Sequence, residues 1–408
     1  MILVQNHRLR LSGSKYFLLI LLGLYLSSCS KKVRPNKNKV TAEVKKEEDK
    51  PTRKFTQASI SLLVPFKLNE FKPKTENKAD IERYAMAIDF YQGFKMGIDS
   101  AAAAGLNFKV NVYDTRDDND QLNRLFNTGS LLENNLIIGP VFPDGLKAMA
   151  AYSIAHQLPV VSPLAATQPS EFGNPNLISI VNNIDLHAKK IGNFIVRKYD
   201  PANTAVILIN TRKNGDETLG EPLREYFVSQ KASKFKFEEY ASVFTMETKA
   251  VKTKKYVVML SSSDRKFVAA SIDKLVKMKK AGFDIDLFGH PDWVKQNYTT
   301  EKLQLLNTII TSSYKVNYKS PVVIDFVKKY RRAFSFEPSE YSFKGFDIGY
   351  FFGKQLSEHG EGFLKYLTRE RYKGLHNSFN FIHDPQYGYI NTSLMLLKYK
   401  DYDLNIIE

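Results

Sequence analysis

The sequence of 408 residues contains a single cysteine, so it can form neither a disulfide scaffold nor a cysteine-based zinc or iron–sulfur site. It also lacks G-x-S-x-G, a P-loop, H-E-x-x-H and a G-x-G-x-x-G after a strand. The seven histidines are scattered, and His359, His376 and His383 fit no metal-ligand spacing. These absences argue against an enzyme, and we expect neither a cofactor nor a metal site.

The positive charge of the chain is concentrated near its N-terminus. The formal net charge is +16, from 59 Lys and Arg against 43 Asp and Glu. Nine of these sixteen charges lie in residues 1–55, which leaves a mildly basic body. A mildly basic body does not favour nucleic-acid binding. The length and a hydrophobic fraction of 43% predict a folded chain with two cores.

The first 29 residues have the order of a bacterial lipoprotein signal. Three basic residues precede an uncharged run over residues 16–26, and the run leads into Leu26-Ser27-Ser28-Cys29. A run of about 11 residues suits a signal peptide and is too short to span a bilayer. We predict a lipoprotein signal peptide over residues 1–28 and lipid attachment at Cys29. An ordinary secretory signal, with the cysteine there by chance, is the alternative.

Residues 29–55 hold ten Lys and Arg, four Asp and Glu, and almost no apolar side chain. Such a segment cannot bury enough surface to offset chain entropy. We predict a disordered basic tether. The alternative is a polybasic patch that contacts anionic lipid or a cell-wall polymer.

After residue 55, short apolar runs alternate with longer segments of helical period. The strand-like runs cover residues 60–66, 108–113, 136–139, 159–162, 177–181, 205–210, 256–260, 285–288 and 308–313. The helical segments cover residues 80–104, 186–199, 219–230, 264–281 and 321–334. This alternation predicts an α/β protein with parallel sheets and crossover helices. About nine such units exceed one open sheet, so we expect two.

Six segments of the chain carry recognisable motifs: the helix over residues 89–99 with Gly93 and Gly97, Val-Tyr-Asp-Thr at 112–115, Ile-Ile-Gly-Pro at 137–140, Leu-Pro-Val-Val-Ser-Pro at 158–163, Ala-Ala-Thr at 165–167, and the stretch from Phe326 to Gly345-Phe346-Asp347. Together they resemble the type I periplasmic binding proteins, in particular the branch that binds leucine, isoleucine and valine. Their order and spacing carry the resemblance, which covers nearly all of residues 56–408.

The resemblance implies two doubly wound parallel-sheet lobes joined by a three-segment hinge. We place the chain crossings near residues 181–183, 305–307 and 377–379. Lobe 1 would then contain residues 56–183 and 307–378, and lobe 2 residues 184–306 and 379–408. Ligands of open parallel sheets bind beyond the carboxyl ends of the strands, so the cleft between the lobes is the expected site.

The loops that follow the strands supply the candidate ligand-binding residues. These are Phe142, Asp144, Ser162, Ala165, Ala166, Thr167, Asn210, Ser261, Asp292 and Trp293. The resemblance assigns Ala165, Ala166 and Thr167 to a ligand carboxylate. Val141 replaces the family's serine after Gly-Pro, which puts the usual amino-acid ligand in question. For Ser261 and Trp293, a helix cap or a covered lobe edge is the alternative to ligand contact.

Two functions fit this description. The first is a lipid-anchored periplasmic protein that captures a small polar, amino-acid-like solute between its lobes for ABC-type transport or sensing, with a transporter permease as partner. The second is a cell-envelope adaptor that binds a cell-wall enzyme, similar to the outer-membrane activators of penicillin-binding proteins. Ser30 after the lipidated cysteine favours the outer over the inner membrane.

Overall fold

A computed structural model describes residues 55–70, 72, 78–229, 232 and 234–408. The predicted signal peptide, Cys29 and nearly all of the tether lie outside these residues, and residues 54–408 form one compact unit. None of the helices in the described part of the chain is both long enough and apolar enough to cross a membrane.

Fifteen strands are present in the described residues. They are β1 (Gln57–Val64), β2 (Asn107–Asp114), β3 (Leu136–Ile138), β4 (Val160–Ser162), β5 (Leu177–Ser179), β6 (Thr204–Ile209), β7 (Lys236–Tyr240), β8 (Lys255–Leu260), β9 (Asp284–Phe288), β10 (Ile309–Ser312), β11 (Arg371–Lys373), β12 (Ser378–Asp384), β13 (Gly388–Asn391), β14 (Met395–Lys400) and β15 (Asp403–Ile406). Each of the nine predicted strands has its counterpart among them.

Ten α-helices connect these strands in the same residues. They are α1 (Lys78–Ala102), α2 (Asn119–Asn127), α3 (Pro143–His156), α4 (Ile184–Lys198), α5 (Asn214–Val228), α6 (Val243–Glu247), α7 (Arg265–Lys280), α8 (Thr300–Leu305), α9 (Pro321–Phe334) and α10 (Glu340–His359). Short 3₁₀ helices lie at Pro169–Glu171, Pro291–Lys295 and Gly360–Lys365.

The strands form two sheets, which confirms the predicted fold class. The first sheet has the order β11-β12-β13-β5-β4-β3-β1-β2, and the second has the order β15-β14-β10-β9-β8-β6-β7. Strands β1 to β5 pair in parallel, as do β6 to β10. Strands β11, β12, β14 and β15 add antiparallel pairs at the two sheet edges.

Continuous apolar strands arise because helices cover both faces of each sheet. In β1, Ile60, Leu62 and Val64 join the core under α1 and α10, whereas Leu63 joins the core on the other face. In β6, Ile207 and its neighbours on the same face join one core of lobe 2, whereas Val206 and Leu208 join the core on the other face of the sheet. Each lobe is therefore a three-layer sandwich.

The chain crosses between the sheets three times, and two crossings lie later than we expected. Strand β10 belongs to the second sheet, because it pairs with β9 and β14. The second crossing therefore follows Ser312 and does not lie at residues 305–307. Strands β12 and β13 belong to the first sheet through the pairing of β13 with β5. The third crossing therefore follows Asn391 and does not lie at residues 377–379. Lobe 1 thus ends with residues 313–391, and lobe 2 ends with residues 395–408.

The side chain of Asn391 connects the first and third crossings. Its amide donates to the carbonyl oxygens of Ile180 at 2.9 Å and Ser378 at 3.0 Å. Its side-chain oxygen accepts from the backbone N–H of Asn380 at 3.0 Å. The Asn182 amide in turn donates to the Asn391 backbone oxygen at 2.7 Å. One buried asparagine thus holds two hinge segments side by side.

Candidate functional site

A cavity of about 410 Å³ lies between the two lobes, next to the hinge. Its apolar wall is formed by Leu164, Val181, Ile184 and Val294, and its charged residues are Glu171, Asp292, Lys295 and Lys344. Both lobes contribute charges of each sign, because Glu171 and Lys344 come from lobe 1 and Asp292 and Lys295 from lobe 2. The cavity therefore combines an apolar wall with one cation and one anion from each lobe.

A chain of side-chain hydrogen bonds closes one edge of this cavity. Asn183 caps α4 by accepting from the backbone N–H of Leu186 at 3.1 Å. Its amide donates to Gln168 Oε1 at 2.6 Å, and Gln168 Nε2 donates to Asp185 Oδ2 at 2.6 Å. Gln168 lies on the lobe 1 loop after β4, whereas Asp185 is in the first turn of α4 in lobe 2. The bond between these two side chains therefore spans the cleft.

Lys344 is a buried cation on α10 that faces the cavity. Its Nζ pairs with the Glu340 carboxylate one turn earlier and lies 4.8 Å from the centre of the Tyr314 ring. Burial lowers the pKa of Lys344, and nearby Lys295 lowers it further, while Glu340 opposes both. Burial of Glu340 acts to raise the pKa of its carboxyl group, but Lys344 and Lys295 outweigh it and the pKa is lowered.

Tyr314 is held by a stacked histidine behind it. The rings of Tyr314 and His376 have centroids 4.4 Å apart and an interplanar angle of 9°. Burial lowers the pKa of His376 to about 4, so the ring is neutral at pH 7. Its Nδ1 lies 2.6 Å from Asn377 Oδ1, which only accepts, so Nδ1 carries the proton. Its Nε2 is then a buried acceptor without a partner in the described part of the chain.

Asp347 fixes the loop that carries His376. Its carboxylate is fully buried and accepts the backbone N–H groups of Leu375 at 2.8 Å, His376 at 2.9 Å and Asn377 at 2.8 Å. Burial raises the pKa of Asp347 to about 6, although these hydrogen bonds favour the charged form. Asp347 therefore supports the cavity from behind and does not line it.

His187 lines the cavity from lobe 2, and His290 lies close to it without lining the cavity. His187 Nδ1 lies 2.8 Å from Thr311 Oγ1, and burial, together with His290, lowers the pKa of His187 to about 3. Burial also lowers the pKa of His290, whose Nδ1 accepts from the backbone N–H of Asp292 at 3.1 Å. Both imidazoles are therefore neutral at pH 7, and the charges on the lobe 2 side of the cavity come from Asp292 and Lys295.

The structure brings together three of the ten candidate residues in this cavity: Ala166, Thr167 and Asp292. Phe142 and Asp144 lie on lobe 1 at the same sheet edge but in a separate pocket of about 510 Å³. That pocket is lined by the loops after β1, β2 and β3, which lie farther from the hinge.

Three candidates in lobe 2 stabilise the lobe itself. Trp293 is fully buried, and its indole N–H donates to the Ser262 carbonyl oxygen at 3.0 Å. The Asn210 amide donates to the carboxylates of Glu217 at 3.0 Å and Glu239 at 3.1 Å. The Ser261 hydroxyl donates to the Ile209 carbonyl oxygen at 3.2 Å. None of these three side chains lines the cavity.

Two lobe 1 candidates are also turned away from the cavity. The Ala165 side chain packs into the core between the sheet and α3. Ser162 is buried at the end of β4, and its hydroxyl has no hydrogen-bond partner within the described residues. The Ala-Ala-Thr loop therefore presents its second and third residues to the cleft and buries its first.

Sequence reasoning did not find Lys344, Lys295, Gln168, Tyr314 or His187. The sequence signal for Lys344 is its position between Phe343 and Gly345 in an otherwise apolar part of a helix, and the structure buries all three residues. Such a charge in an apolar environment is rare unless it is paired or functional.

No sequence-family profile matches the chain, and no characterised protein matches it by sequence. Solved structures do match. One, described as a branched-chain amino acid ABC transporter protein from Rhodospirillum rubrum, has a TM-score of 0.63 at 13% identity over 86% of this chain and 100% of that chain. A leucine complex of an ABC transporter substrate-binding protein from Desulfitobacterium hafniense has a TM-score of 0.52 at 14% identity, over 86% and 100% of the two chains.

These likenesses define the fold as that of the type I periplasmic binding proteins, as the sequence predicted. Within this class the chain is also similar to the C-domain of LpoA from Haemophilus influenzae, described as a regulator of PBP1A. That structure has a TM-score of 0.56 at 13% identity, over 86% of this chain and 100% of that domain. Transport-type and regulator-type proteins thus share this architecture.

Proposed function

We propose that the protein is a solute-binding protein that closes its two lobes on a small polar, amino-acid-like ligand. The observation that supports this is the cavity of about 410 Å³, with a cation and an anion from each lobe around an apolar wall. Its volume lies in the range of small-molecule sites. Closure of two lobes about a hinge is the established way for such folds to enclose a ligand.

The charges suggest how a zwitterion would lie. Lys295 has no carboxylate partner within 4.0 Å among the described residues, whereas Lys344 is already paired with Glu340. Lys295 is therefore the free cation for a ligand carboxylate, and Thr167 lines the same cavity from lobe 1. Asp292 is exposed at the cavity rim and would take the ligand ammonium group.

The experiment is a thermal-shift screen of the purified protein against amino acids, small peptides and nucleobases. A bound solute raises the melting temperature by mass action. Lys295→Gln and Asp292→Asn should each reduce the shift produced by the active compound, whereas Lys280→Gln, at the exposed end of α7, should not. Absence of a shift with every compound would refute solute binding.

The same proposal places the protein in the periplasm, anchored by lipid on Cys29 and linked by the basic tether. Ser30 supports the outer membrane as its location. The partner in transport would be an ABC permease, and in sensing a membrane receptor. The location and the lipid anchor rest on the sequence of residues 1–55, and the partner rests on the proposed solute binding.

A cell-envelope adaptor is the second candidate. Lobe 1 exposes Tyr318, Val322 and Phe336 around α9, with 64%, 65% and 72% of their surfaces accessible. Tyr318 lies just before α9, Val322 lies in its first turn and Phe336 lies just beyond its end, and an exposed apolar patch along this helix would mark a protein contact. The match with the LpoA C-domain over its full length is consistent with such a role. Crosslinking in intact envelopes that returns permeases and no cell-wall synthase would exclude it.

A further inference from the structure

A second and larger pocket, of about 670 Å³, lies in lobe 2 away from the cleft. Thr204 and Lys255, the first residues of β6 and β8, line it. Because these parallel strands point their carboxyl ends at the cleft, their first residues lie at the opposite edge of the sheet. A ligand in this pocket would therefore contact lobe 2 alone, independently of lobe closure.

The walls of this pocket are mainly apolar. Phe194 and Tyr199 come from the end of α4, and Ile309 comes from the start of β10. Ile407 forms part of the opposite wall. Apolar walls and a volume in the range of 300–1,000 Å³ are typical of small-molecule sites.

Two acidic residues line the pocket. Asp200 is exposed and accepts from the backbone N–H of Ala202 at 3.0 Å and from the Asn203 amide at 3.1 Å, whereas the more buried Asp286 is fully engaged. Asp286 accepts from the Tyr199 hydroxyl at 2.9 Å and from the Asn307 amide at 2.9 Å, and pairs with Lys255 Nζ at 3.0 Å. Lys255 also pairs with Asp284 at 3.1 Å. Asp286 is therefore compensated and leaves no free negative charge for a cationic ligand.

Lys398 is the more buried of two lysines of this pocket that lack a counter-ion among the described residues. It lies on β14 opposite Ile309 and is half-buried. No carboxylate of the described chain lies within 4.0 Å of its ammonium group, and the same holds for Lys198 on the pocket rim. A half-buried cation beside apolar walls is poorly solvated, and an anionic ligand group would restore its interactions.

We propose that this pocket is a second ligand site, which binds an apolar molecule carrying one carboxylate or phosphate group. The apolar part would pack against Phe194, Ile309 and Ile407. The anionic group would pair with Lys398, with Lys198 at the entrance.

Octanoate and octyl phosphate, titrated into the full-length protein by calorimetry, test this directly, with octanol as the uncharged probe of equal length. At least one of the two anions should bind one per chain and at least tenfold more tightly than octanol. The anion with the higher affinity identifies the head group that the site prefers.

Substitutions at Lys398 separate this site from unspecific binding. Lys398→Gln should remove the preference for the anion, and Lys398→Arg should keep it. Lys400→Gln is the matched control, because Lys400 lies two residues further along the same strand and is exposed. Lys295→Gln in the cleft should leave the affinity unchanged. Equal binding of anion and alcohol, no binding of either anion, or an unaltered preference in Lys398→Gln would overturn the proposal.

Discussion

A Cβ atom added to Gly93 would lie 1.9 Å from the carbonyl oxygen of Ser342. On the partner helix, a Cβ on Gly345 would lie 2.1 Å from the carbonyl oxygen of Phe90. Gly97 and Gly349, each four residues further along, are equally restricted by Phe346 and Phe94. Helices α1 and α10 thus touch backbone to backbone along two glycine stripes, and this contact places Lys344 at the cavity and Asp347 behind it.

Gly93→Ala should destabilise the protein by about 1–3 kcal/mol, because the added methyl group can be accepted only if the two helices separate. Gly215→Ala in α5 is the matched control, since a Cβ there meets no atom within 4 Å. In a helix that control change should be neutral or slightly stabilising. Urea unfolding monitored by circular dichroism measures both, and equal stability of the two variants would contradict the packing.

Asp347 should make stability fall as pH rises from about 4 to about 6. Burial raises its pKa to about 6 in the folded state from 3.8, so the folded protein binds the extra proton in this window and loses it above. The penalty at neutral pH is on the order of 3 kcal/mol. Asp347→Asn removes this titration, so the difference between wild type and variant should change across that window.

The free energy of unfolding of both proteins, measured at intervals from pH 4 to pH 7, tests this. Asp347→Asn is itself expected to be less stable at pH 4, because an amide NH₂ would face the backbone N–H groups of His376 and Asn377. Parallel curves for the two proteins would show that Asp347 does not titrate in this range.

Lys344→Met should cost about 2–3 kcal/mol, because it leaves the Glu340 carboxylate half-buried without its partner. The double variant Lys344→Met/Glu340→Gln removes both charges and should recover most of that loss. A double-mutant cycle by chemical unfolding gives the coupling energy. Additive losses would mean that the pair does not interact.

Gln168→Leu should shift the two lobes towards an open arrangement. It removes the bonds from Gln168 to Asn183 and Asp185, which together contribute about 1 kcal/mol at this partly exposed position. Small-angle X-ray scattering should show a larger radius of gyration for the ligand-free variant. Gln121→Leu serves as the control, because Gln121 contacts only Arg124 of its own helix. Identical scattering of the two variants would show that the hydrogen bonds of Gln168 do not hold the lobes together.

Cys29→Ser should abolish membrane attachment, since lipid can no longer be added at that position. Metabolic labelling with palmitate and fractionation of envelopes measure this. Ser30→Asp should keep the label and move the protein to the inner membrane. Label retained in Cys29→Ser would disprove a lipid anchor at this residue.

The architecture could be predicted because strands covered on both faces are continuously apolar. Strand β7 (Lys236–Tyr240) was not predicted, because it contains two glutamates that pair with cations at the sheet edge. Strands β11, β12 and β15 are partly exposed and lack a continuous apolar run. The last two crossings depend on the long-range pairing of β14 with β10 and of β13 with β5, which the local sequence does not show.

The site was harder to predict for a geometric reason. A position after a strand shows that a residue lies at the cleft edge of the sheet, but not whether its side chain points outward. Thr167 and Asp292 face the cavity, whereas Trp293 and Asn210 turn back into lobe 2. Lys344 lies on a helix whose distance from the cleft depends on the glycine contact with α1.

The threading of the chain through the hinge also determines the order in which the lobes can form. Five strands of lobe 2 are complete by Ser312, but the sheet needs β14 beside β10. Strand β14 is synthesised only after the returning segment of lobe 1. Until then the edge of β10 is unpaired and prone to pair with another chain. An emerging chain would therefore depend on chaperones to keep lobe 2 from aggregating, and lobe 1 should be the first to reach its native packing.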